Sequence, residues 1–343
     1  MMIPGRTQRS SCRTHFLLLL ATALGCAIGV PRSAMAQASW RPRLRLDNDV
    51  YNFWQRHTRR PDEEYTNGVR ASLESQAAPW WGARFARGIP DCVTASGPPR
   101  CRSTVVTLGQ DLYTPHLDRT PHTVEQWELE RPYFAWLFVS GTARVSSERS
   151  LHATSVSAGV TGPPAGGALA QEIAHRIGFN ERASGWETQI GFEPGVVLEY
   201  RRSELMIRRG GPRGLAFEMA PEFALSMGNI RTHAEAGGSV RLGRNLSHPW
   251  HPALWRGRPA SEWWLSAGAR SEYVARDMSL DGTLRRPARR VARISDVYQY
   301  EIGAGIRVRS VIVEYRAVTR SREYRSGPGH HTYSSMVVSL TPF

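Results

Sequence analysis

The chain has 343 residues, a formal net charge of +14 and 41% hydrophobic residues, enough for one large domain or two ordinary ones. After the first 36 residues, Arg, Glu or Gly interrupts each apolar run within a few positions. A helix that crosses a bilayer needs about 20 consecutive apolar residues, so a helical membrane protein is excluded. Only helices and closed barrels can cross a bilayer, because every backbone polar group must be paired there. The sequence therefore encodes either a barrel or a soluble periplasmic protein.

The start of the chain has the pattern of a cleaved signal peptide. Three arginines precede an apolar run over 16–30, and residues 34–36 (Ala-Met-Ala) form a small-residue cleavage pattern. A single membrane anchor is the alternative, but the apolar run is short for a spanning helix. We predict that residues 1–36 are removed and that residues 37–343 form the mature barrel domain.

The positive charge of the chain indicates what it binds. All of that charge is arginine, which pairs with phosphate and carboxylate groups in a bidentate manner. Because an exported protein does not encounter nucleic acid, we expect no nucleic-acid partner and instead anionic lipid head groups of the outer membrane. A basic pore lining is the alternative for individual arginines. We expect a monomer.

Two cysteines remain in the mature chain, because Cys12 and Cys26 lie in the predicted signal segment. Cys92 and Cys101 lie close together in the sequence. An oxidising periplasm favours a disulfide between them. A metal pair is the alternative, although no nearby His or Cys completes such a site.

Short alternating runs separated by turn residues continue to the end of the chain, as is typical of a transmembrane barrel. In 302–309, for example, apolar Ile302, Ala304, Ile306 and Val308 share one face. We predict an all-β fold, a transmembrane antiparallel β-barrel of about 12 strands. The predicted strands lie near 42–51, 66–76, 103–113, 133–146, 151–161, 187–203, 214–227, 233–245, 262–276, 297–309, 311–324 and 332–343.

The strand order also assigns the connections to the two sides of the membrane. With both termini in the periplasm, the connections near 52–65, 114–132, 162–186, 228–232, 277–296 and 325–331 face the cell exterior. The long connection 77–102 is then periplasmic, which is unusual for a barrel. In the third exterior loop, Leu169, Ile173 and Ile177 recur at helical spacing, so we predict a short helix over 166–178.

Two polar segments at neighbouring strand ends suit a hard cation. Asp47, Asn48 and Asp49 end the first predicted strand. The segment 62–68 (Asp-Glu-Glu-Tyr-Thr-Asn-Gly), which contains Glu64 and Thr66, opens the second strand, one hairpin away. Carboxylate, amide and hydroxyl oxygens at this density are typical of calcium ligands. A polar strand end and an ordinary Asn-Gly turn with solvated acids are the alternatives.

The predicted loop helix carries a candidate proton acceptor. His175 follows Gln171 by four positions, so both stack on one helix face, and histidine accepts protons near neutral pH. An exposed loop histidine without a role is the alternative. No Gly-x-Ser-x-Gly motif occurs, so a serine nucleophile on an elbow is not indicated.

These residues carry a resemblance to a known family. Asp47-Asn48-Asp49 followed by residues 65–68 (Tyr-Thr-Asn-Gly) resembles the opening of the lipid A 3′-O-deacylase family of outer-membrane barrels. Further blocks in the same order are 108–115 (LGQDLYTP), 131–137 (RPYFAWL), 159–163 (GVTGP), 171–175 (QEIAH), 185–194, 281–282, 320–324 and 331–335. The resemblance spans almost the whole mature chain.

The resemblance implies a twelve-stranded barrel in the outer membrane with its active site on the cell exterior, between the wall and the loop helix. It implies calcium-dependent hydrolysis of the 3′-linked acyloxyacyl ester of lipid A. His175 would activate water, and Asn48, Asp49 and Thr66 would form the calcium and oxyanion region, with Asn48 and Asp49 as metal ligands. Calcium would polarise the ester carbonyl.

Other positions follow from the same resemblance. Arg119 would bind the lipopolysaccharide substrate, Gln171 would contact substrate or orient a water, and Glu181 would support the histidine. Phe134 and Ala135 replace the family's usual small pair, which would narrow the acyl groove. Two alternatives to lipid A hydrolysis are a non-enzymatic barrel, acting as a pore or scaffold, and an outer-membrane phospholipase.

Overall fold

The computed structural model describes residues 40–48, 64–77, 87–92, 100–115, 128–178, 185–211, 213–251, 261–284 and 289–340. The side chains of residues 174–178 are not part of this description. The predicted signal segment 1–36 lies outside the described residues.

One antiparallel sheet makes up most of the described chain. Its strands are β1 (Arg41–Asn48), β2 (Glu64–Ser75), β3 (Arg100–Thr114), β4 (Phe134–Ser147), β5 (Ser150–Thr161), β6 (Pro194–Glu204), β7 (Ile207–Gly210), β8 (Leu215–Gly228), β9 (Arg231–Arg244), β10 (Ser261–Asp277), β11 (Asp296–Val308), β12 (Val311–Ser321) and β13 (His330–Leu340).

The sheet closes on itself. β1 pairs with both β2 and β13, and β6 pairs with both β5 and β8. The short β7 continues β6 along the same partner, β8, so β6 and β7 together form one interrupted wall strand. The structure is therefore a closed antiparallel barrel with a wall of twelve strands, which confirms the predicted fold class.

Helical structure is confined to the connections. A 3-10 turn (Pro163–Ala165) leads into α1 (Gly167–Gly178), another 3-10 turn covers Trp186–Thr188, and α2 (Met278–Asp281) follows β10. The predicted loop helix is thus confirmed. In the described part of the chain, no helix is long and apolar enough to cross a membrane.

Two predicted strand boundaries were wrong. The predicted strand 187–203 begins only at Pro194, because Trp186–Thr188 turns and the Ile190 amide donates to the Tyr133 carbonyl at 2.9 Å instead of joining a ladder. The predicted strand 311–324 ends at Ser321, and Tyr324 forms only an isolated bridge with Arg293.

The two faces of the wall differ as a membrane barrel requires. Outward side chains are mostly apolar and exposed; Ile302, for example, is 67% exposed. Inward side chains form arginine–glutamate pairs such as Arg241–Glu218 and Arg307–Glu262. Outward Trp263 and Tyr273 lie at the two ends of the apolar stretch of β10. They are ten residues apart, which in a tilted strand corresponds to about 25 Å, the height of the apolar band of an outer-membrane barrel.

The end of the barrel that holds the start of β1 and the end of β13 is named here the terminus end, and the opposite one the loop end. At the terminus end, Cys92 and Cys101 form a disulfide, which confirms the expected pairing. The segment Asn245–His251, the strap, reaches this disulfide from the β9–β10 side, and His251 Nε2 lies 3.9 Å from Cys101 Sγ. β9–β10 and β3 lie on opposite sides of the ring, so the strap crosses the mouth of the barrel.

Polar contacts hold the strap in place. Trp250 Nε1 donates to the Ser147 carbonyl at 3.0 Å, and His248 Nε2 lies 2.8 Å from the Glu148 carbonyl. The Leu246 side chain is fully buried against Ala216 and Trp264. The strap is therefore a packed part of the barrel.

Candidate active site on the outer wall

Helix α1 and the turns beside it lie against the outer face of β3 and β4. Leu112, Ala135, Ala165 and Trp186 form one buried apolar cluster. Neighbouring Asp111 and Trp136 point the other way and line an interior cavity. Gln110 Nε2 also donates to the Ala165 carbonyl at 2.6 Å. The loop helix is thus seated on the outside of the barrel wall, next to β4.

The start of α1 touches the wall because it begins with glycine. A Cβ atom on Gly167 would lie 2.8 Å from the Ala135 Cβ and 2.3 Å from the Trp186 ring. Such distances are not tolerated, so a larger residue would displace the helix. Gly166, just before it, has a φ of 71°, a backbone conformation that favours glycine.

Gln171, one turn into α1, is fixed by the loop that follows the helix. Its side chain is buried, and its Oε1 accepts a hydrogen bond from Trp186 Nε1 at 2.5 Å. The Trp186 ring packs against Tyr133, with ring centroids 5.0 Å apart. Gln171 therefore joins α1 to the residues that enter β4. Its predicted role toward substrate stays a prediction.

The structure describes the remaining predicted site residues only in part. The backbone of His175 lies in α1, four residues after Gln171, but its side chain is outside the description. Asp49, Arg119 and Glu181 lie outside the described residues altogether. Their roles, and that of His175 as the base, stay predictions.

Asn48 lies in a row of outward positions that leads to α1. It pairs with Asn67 of β2, Asn67 pairs with Leu112 of β3, and Leu112 pairs with Ala135 of β4. Three strand spacings separate Asn48 from Ala135, about 14 Å in all. Asn48 and the base of α1 are therefore on the same outer surface.

Thr66 sits at a β-bulge beside this row. The register between β2 and β3 shifts between Tyr65 and Asn67, which leaves Thr66 as the extra residue. Its hydroxyl is buried, and its Oγ1 lies 2.5 Å from the Thr114 Oγ1. The sequence did not indicate Thr114 as a partner, although the LGQDLYTP block contains it.

The structure places the first carboxylate of the Asp-Asn-Asp motif inside the barrel. Asp47 points into the barrel, where its carboxylate accepts from Arg45 at 2.7 Å, Arg70 at 3.1 Å and the Tyr65 hydroxyl at 3.0 Å. Successive strand residues face opposite sides, so Asn48 points outward. Asp47 is committed to the interior, which leaves Asp49 as the carboxylate of this motif for a cation.

The outward oxygen atoms of this region could supply part of the ligand set of a calcium ion. Asn48, Thr66 and Thr114 supply amide and hydroxyl oxygens of the hard kind that calcium binds. Among the described side chains, no group of three His, Cys, Asp or Glu could hold a metal ion. A calcium site here therefore depends on Asp49 for its carboxylate.

A buried ion network organises the loop end behind the site. Arg131 is fully buried, with Glu64 Oε2 at 2.7 Å and Glu323 Oε2 at 3.0 Å, and its guanidinium stacks over Tyr113. Burial acts to lower the pKa of Arg131, but the two carboxylates raise it above its ordinary value. Burial likewise acts to raise the pKa of Glu323, but Arg320 and Arg131 lower it to about 2. Arg131 and Glu323 are therefore charged in the folded protein, whereas burial raises the pKa of Glu64 to about 7.

Glu64 connects this network to the site. It opens β2 two residues before Thr66, is 1% exposed and has a φ of 59°, a strained conformation for a residue other than glycine. The alternative of solvated acids in this segment was therefore wrong for Glu64. No spacing rule could have paired it with Arg131, because the two residues are distant in the sequence.

The structure also corrects the expectation for the acyl groove. Phe134 points into the barrel, where its ring lies 6.0 Å from that of Tyr113, so Phe134 does not narrow an outer groove. Ala135 is the residue of this pair that faces α1.

Comparison with known proteins places this geometry in context. The family described as outer membrane protein LpxR matches residues 17–341. Among solved structures, LpxR from Salmonella typhimurium is similar, with a TM-score of 0.68 and 21% identity over 88% of this chain and 100% of that one. Comparison with curated proteins found no match.

Two other outer-membrane barrels are less similar. The β domain of the Bordetella autotransporter BrkA has a TM-score of 0.44 at 10% identity, covering 90% of this chain and 100% of that one. The translocator domain of the autotransporter NalP from Neisseria meningitidis has a TM-score of 0.41 at 10% identity, covering 96% and 97%.

Proposed function

Because this chain belongs to the LpxR family of outer membrane proteins, we propose that it is a lipid A 3′-O-deacylase. It hydrolyses the ester that links the acyloxyacyl group to the 3′ position of lipid A in the outer membrane, at a site facing the cell exterior. The observation that carries this proposal is the placement of α1, the helix of His175, on the same outer surface as Asn48. A lipid substrate reaches that surface directly from the bilayer.

In the proposed mechanism, His175 takes a proton from the attacking water and later gives it to the departing 3′ oxygen of the sugar, which leaves as a hydroxyl. Helix α1 sets the position of His175, and Gln171 fixes the helix through Trp186. Thr66 and Asn48 place their oxygens at the other side of the reacting ester.

Calcium fits the proposal as the bound cation. Asn48 and Asp49 would hold it, and when bound it would polarise the ester carbonyl and stabilise the developing oxyanion. Asp47 has no part in this, because its carboxylate is held by Arg45 and Arg70 inside the barrel.

Substrate recognition follows from charge. Lipid A carries phosphate groups, and Arg119 is the cation that we assign to one of them. The narrow contact at Ala135 and Gly167 closes the space between α1 and β4 at the start of the helix. The acyl chain would therefore lie on the β1–β2 side of α1.

Mass spectrometry of lipid A from cells that express the protein tests the proposal. We expect loss of the 3′-linked acyloxyacyl mass in the wild type, and retention in His175→Ala and after calcium chelation. Thr154→Val, a change at an outward position of β5 near the terminus end, serves as the control and should behave as the wild type.

Two results would contradict the proposal. Loss of acyl chains from glycerophospholipids, with intact lipid A, would instead indicate a phospholipase. Unchanged lipids together with ion conductance in planar bilayers would indicate a non-enzymatic barrel.

A further inference from the structure

The interruption of the sixth wall strand opens a cavity at the terminus end. Leu205 and Met206 lie between β6 and β7, and the Leu205 amide donates to the Arg149 carbonyl, in the β4–β5 turn, at 2.7 Å. A cavity of about 470 Å³ lies between this turn, the break and His248 of the strap. It is separate from the candidate active site, which is at the loop end.

The outward side chains of β6 place this cavity relative to the membrane. Val196 and Leu198 are apolar and about half exposed, Tyr200 follows, and Arg202 comes next on the same face. Tyrosine is typical of the membrane–water interface, so the apolar band ends near Tyr200. The cavity lies beyond that point, at the depth of lipid head groups.

The charge of the cavity is positive. Arg149 and Arg209 line it, are exposed and form no ion pair with a described residue. Arg208 also lines it, but its guanidinium lies 2.8 Å from Glu218, a carboxylate that it shares with Arg241. Glu148 is the acidic member of the lining, and burial lowers the pKa of His248 to about 4, so that this histidine is neutral.

An apolar surface adjoins this positive cavity. Met206 at the break is 63% exposed. On the outward face of the neighbouring β8, Phe223 and Leu225 are 41% and 47% exposed and extend from the cavity into the apolar band. A ligand with an anionic head and long apolar chains matches both surfaces at once.

We propose that this cavity binds an anionic glycerophospholipid, with its phosphate between Arg149 and Arg209 and its acyl chains along Met206 and the outward face of β8. The proposal does not depend on the deacylase assignment, because none of these residues belongs to that site. The bound lipid is a ligand and is not hydrolysed here.

Native mass spectrometry of the full-length barrel in detergent, titrated with phosphatidylglycerol, tests this proposal. We expect Arg149→Gln/Arg209→Gln to bind it about thirtyfold more weakly than the wild type. The matched control Arg244→Gln/Arg309→Gln removes the same charge from exposed positions that do not line the cavity, and should bind within about twofold of the wild type. Heat-modified migration in gels shows whether each variant is folded.

The probes distinguish a lipid site from a general anion site. Phosphatidylcholine and inorganic phosphate should bind the wild type much more weakly than phosphatidylglycerol. Equal losses in both double variants would overturn the proposal, since they would indicate diffuse attraction to a basic rim. Equal binding of inorganic phosphate and phosphatidylglycerol would overturn it as well. Lipid A deacylation by Arg149→Gln/Arg209→Gln should match the wild type.

Discussion

The loop end and the terminus end of the barrel are both filled, but by different interactions. At the loop end, buried arginine–carboxylate pairs around Arg131 join segments that are distant in the sequence. At the terminus end, a disulfide joins Cys92 to Cys101, and hydrogen bonds to backbone carbonyls hold the strap across the mouth beside it. The interior of the barrel is thus a structural core, and the candidate chemistry lies on its outer wall.

The largest expected effect comes from breaking the loop-end network. Arg131→Met removes the described ion-pair partner of the buried Glu64, whereas Glu323 keeps Arg320. We expect a loss of about 3 to 5 kcal/mol in the free energy of unfolding. Urea unfolding in lipid vesicles measures it. Arg325→Met, at an exposed position, is the control; equal stability of both variants would show that the network contributes little.

The disulfide at the terminus end should contribute less. Cys92→Ser/Cys101→Ser releases a short closed loop, and we expect unfolding to become easier by about 2 to 3 kcal/mol. Lipid A deacylation at low temperature should be unchanged, because the site is at the other end. A loss of activity without unfolding would contradict the separation of the two ends.

A smaller effect is expected where α1 meets the wall. Gln171→Leu leaves the buried Trp186 Nε1 without its acceptor, at a cost of about 1 to 2 kcal/mol. We expect kcat of deacylation to fall about tenfold, because α1 carries His175. Gln171→Glu keeps an acceptor and should retain more activity. If both variants lost activity equally, Gln171 would act on the substrate rather than through Trp186.

The smallest expected effects are local changes in stability with pH, and they occur over different pH ranges at the two ends of the barrel. Burial lowers the pKa of His248 from 6.5 to about 4, with Arg208, His251 and Arg241 acting in the same direction. As the pH falls, His248 is protonated in the unfolded strap before it is protonated in the folded strap. The stability that neutral His248 gives the folded strap is therefore lost between pH 6.5 and 4. The pKa of Glu323 is lowered from 4.5 to about 2, so the stability that the Glu323 carboxylate contributes at the loop end is lost only below pH 4.5.

Hydrogen exchange of the Leu246–His251 and Glu323 amides across this pH range, corrected for intrinsic rates, measures the difference. His248→Gln should remove the loss at the strap between pH 6.5 and 4. Simultaneous opening of both regions at one pH would show that the barrel unfolds as a single unit.

The wall of the barrel could be predicted from the sequence, because lipid outside and polar groups inside impose alternation on each strand. Most predicted strands agree with the structure within a few residues. The short β7 was not predicted: the predicted strands end at 203 and resume at 214, and only the pairing of Ile207–Gly210 with β8 reveals that the wall continues there. The turn at Trp186–Thr188 was predicted as part of a strand, because only its backbone hydrogen bonds show that the chain turns there.

The candidate site was less predictable than the fold. The order of the motifs indicated Asn48, Thr66 and α1, and the structure brings Asn48 and the base of α1 onto one surface. The Arg131–Glu64 pair and the Gln171–Trp186 bond depend on tertiary contacts that periodicity does not encode. Asp49, Arg119, Glu181 and the His175 side chain stay predictions.

The seating of α1 on the outside of the wall has a kinetic consequence for the proposed enzyme. Its substrate would arrive by lateral diffusion within one leaflet, without leaving the bilayer or crossing the lumen. Turnover would then depend on the number of lipid A molecules per unit of membrane area rather than on their concentration in bulk solution. Dilution of lipid A with an inert lipid in the same vesicles should slow the reaction, whereas dilution of the vesicles themselves should not.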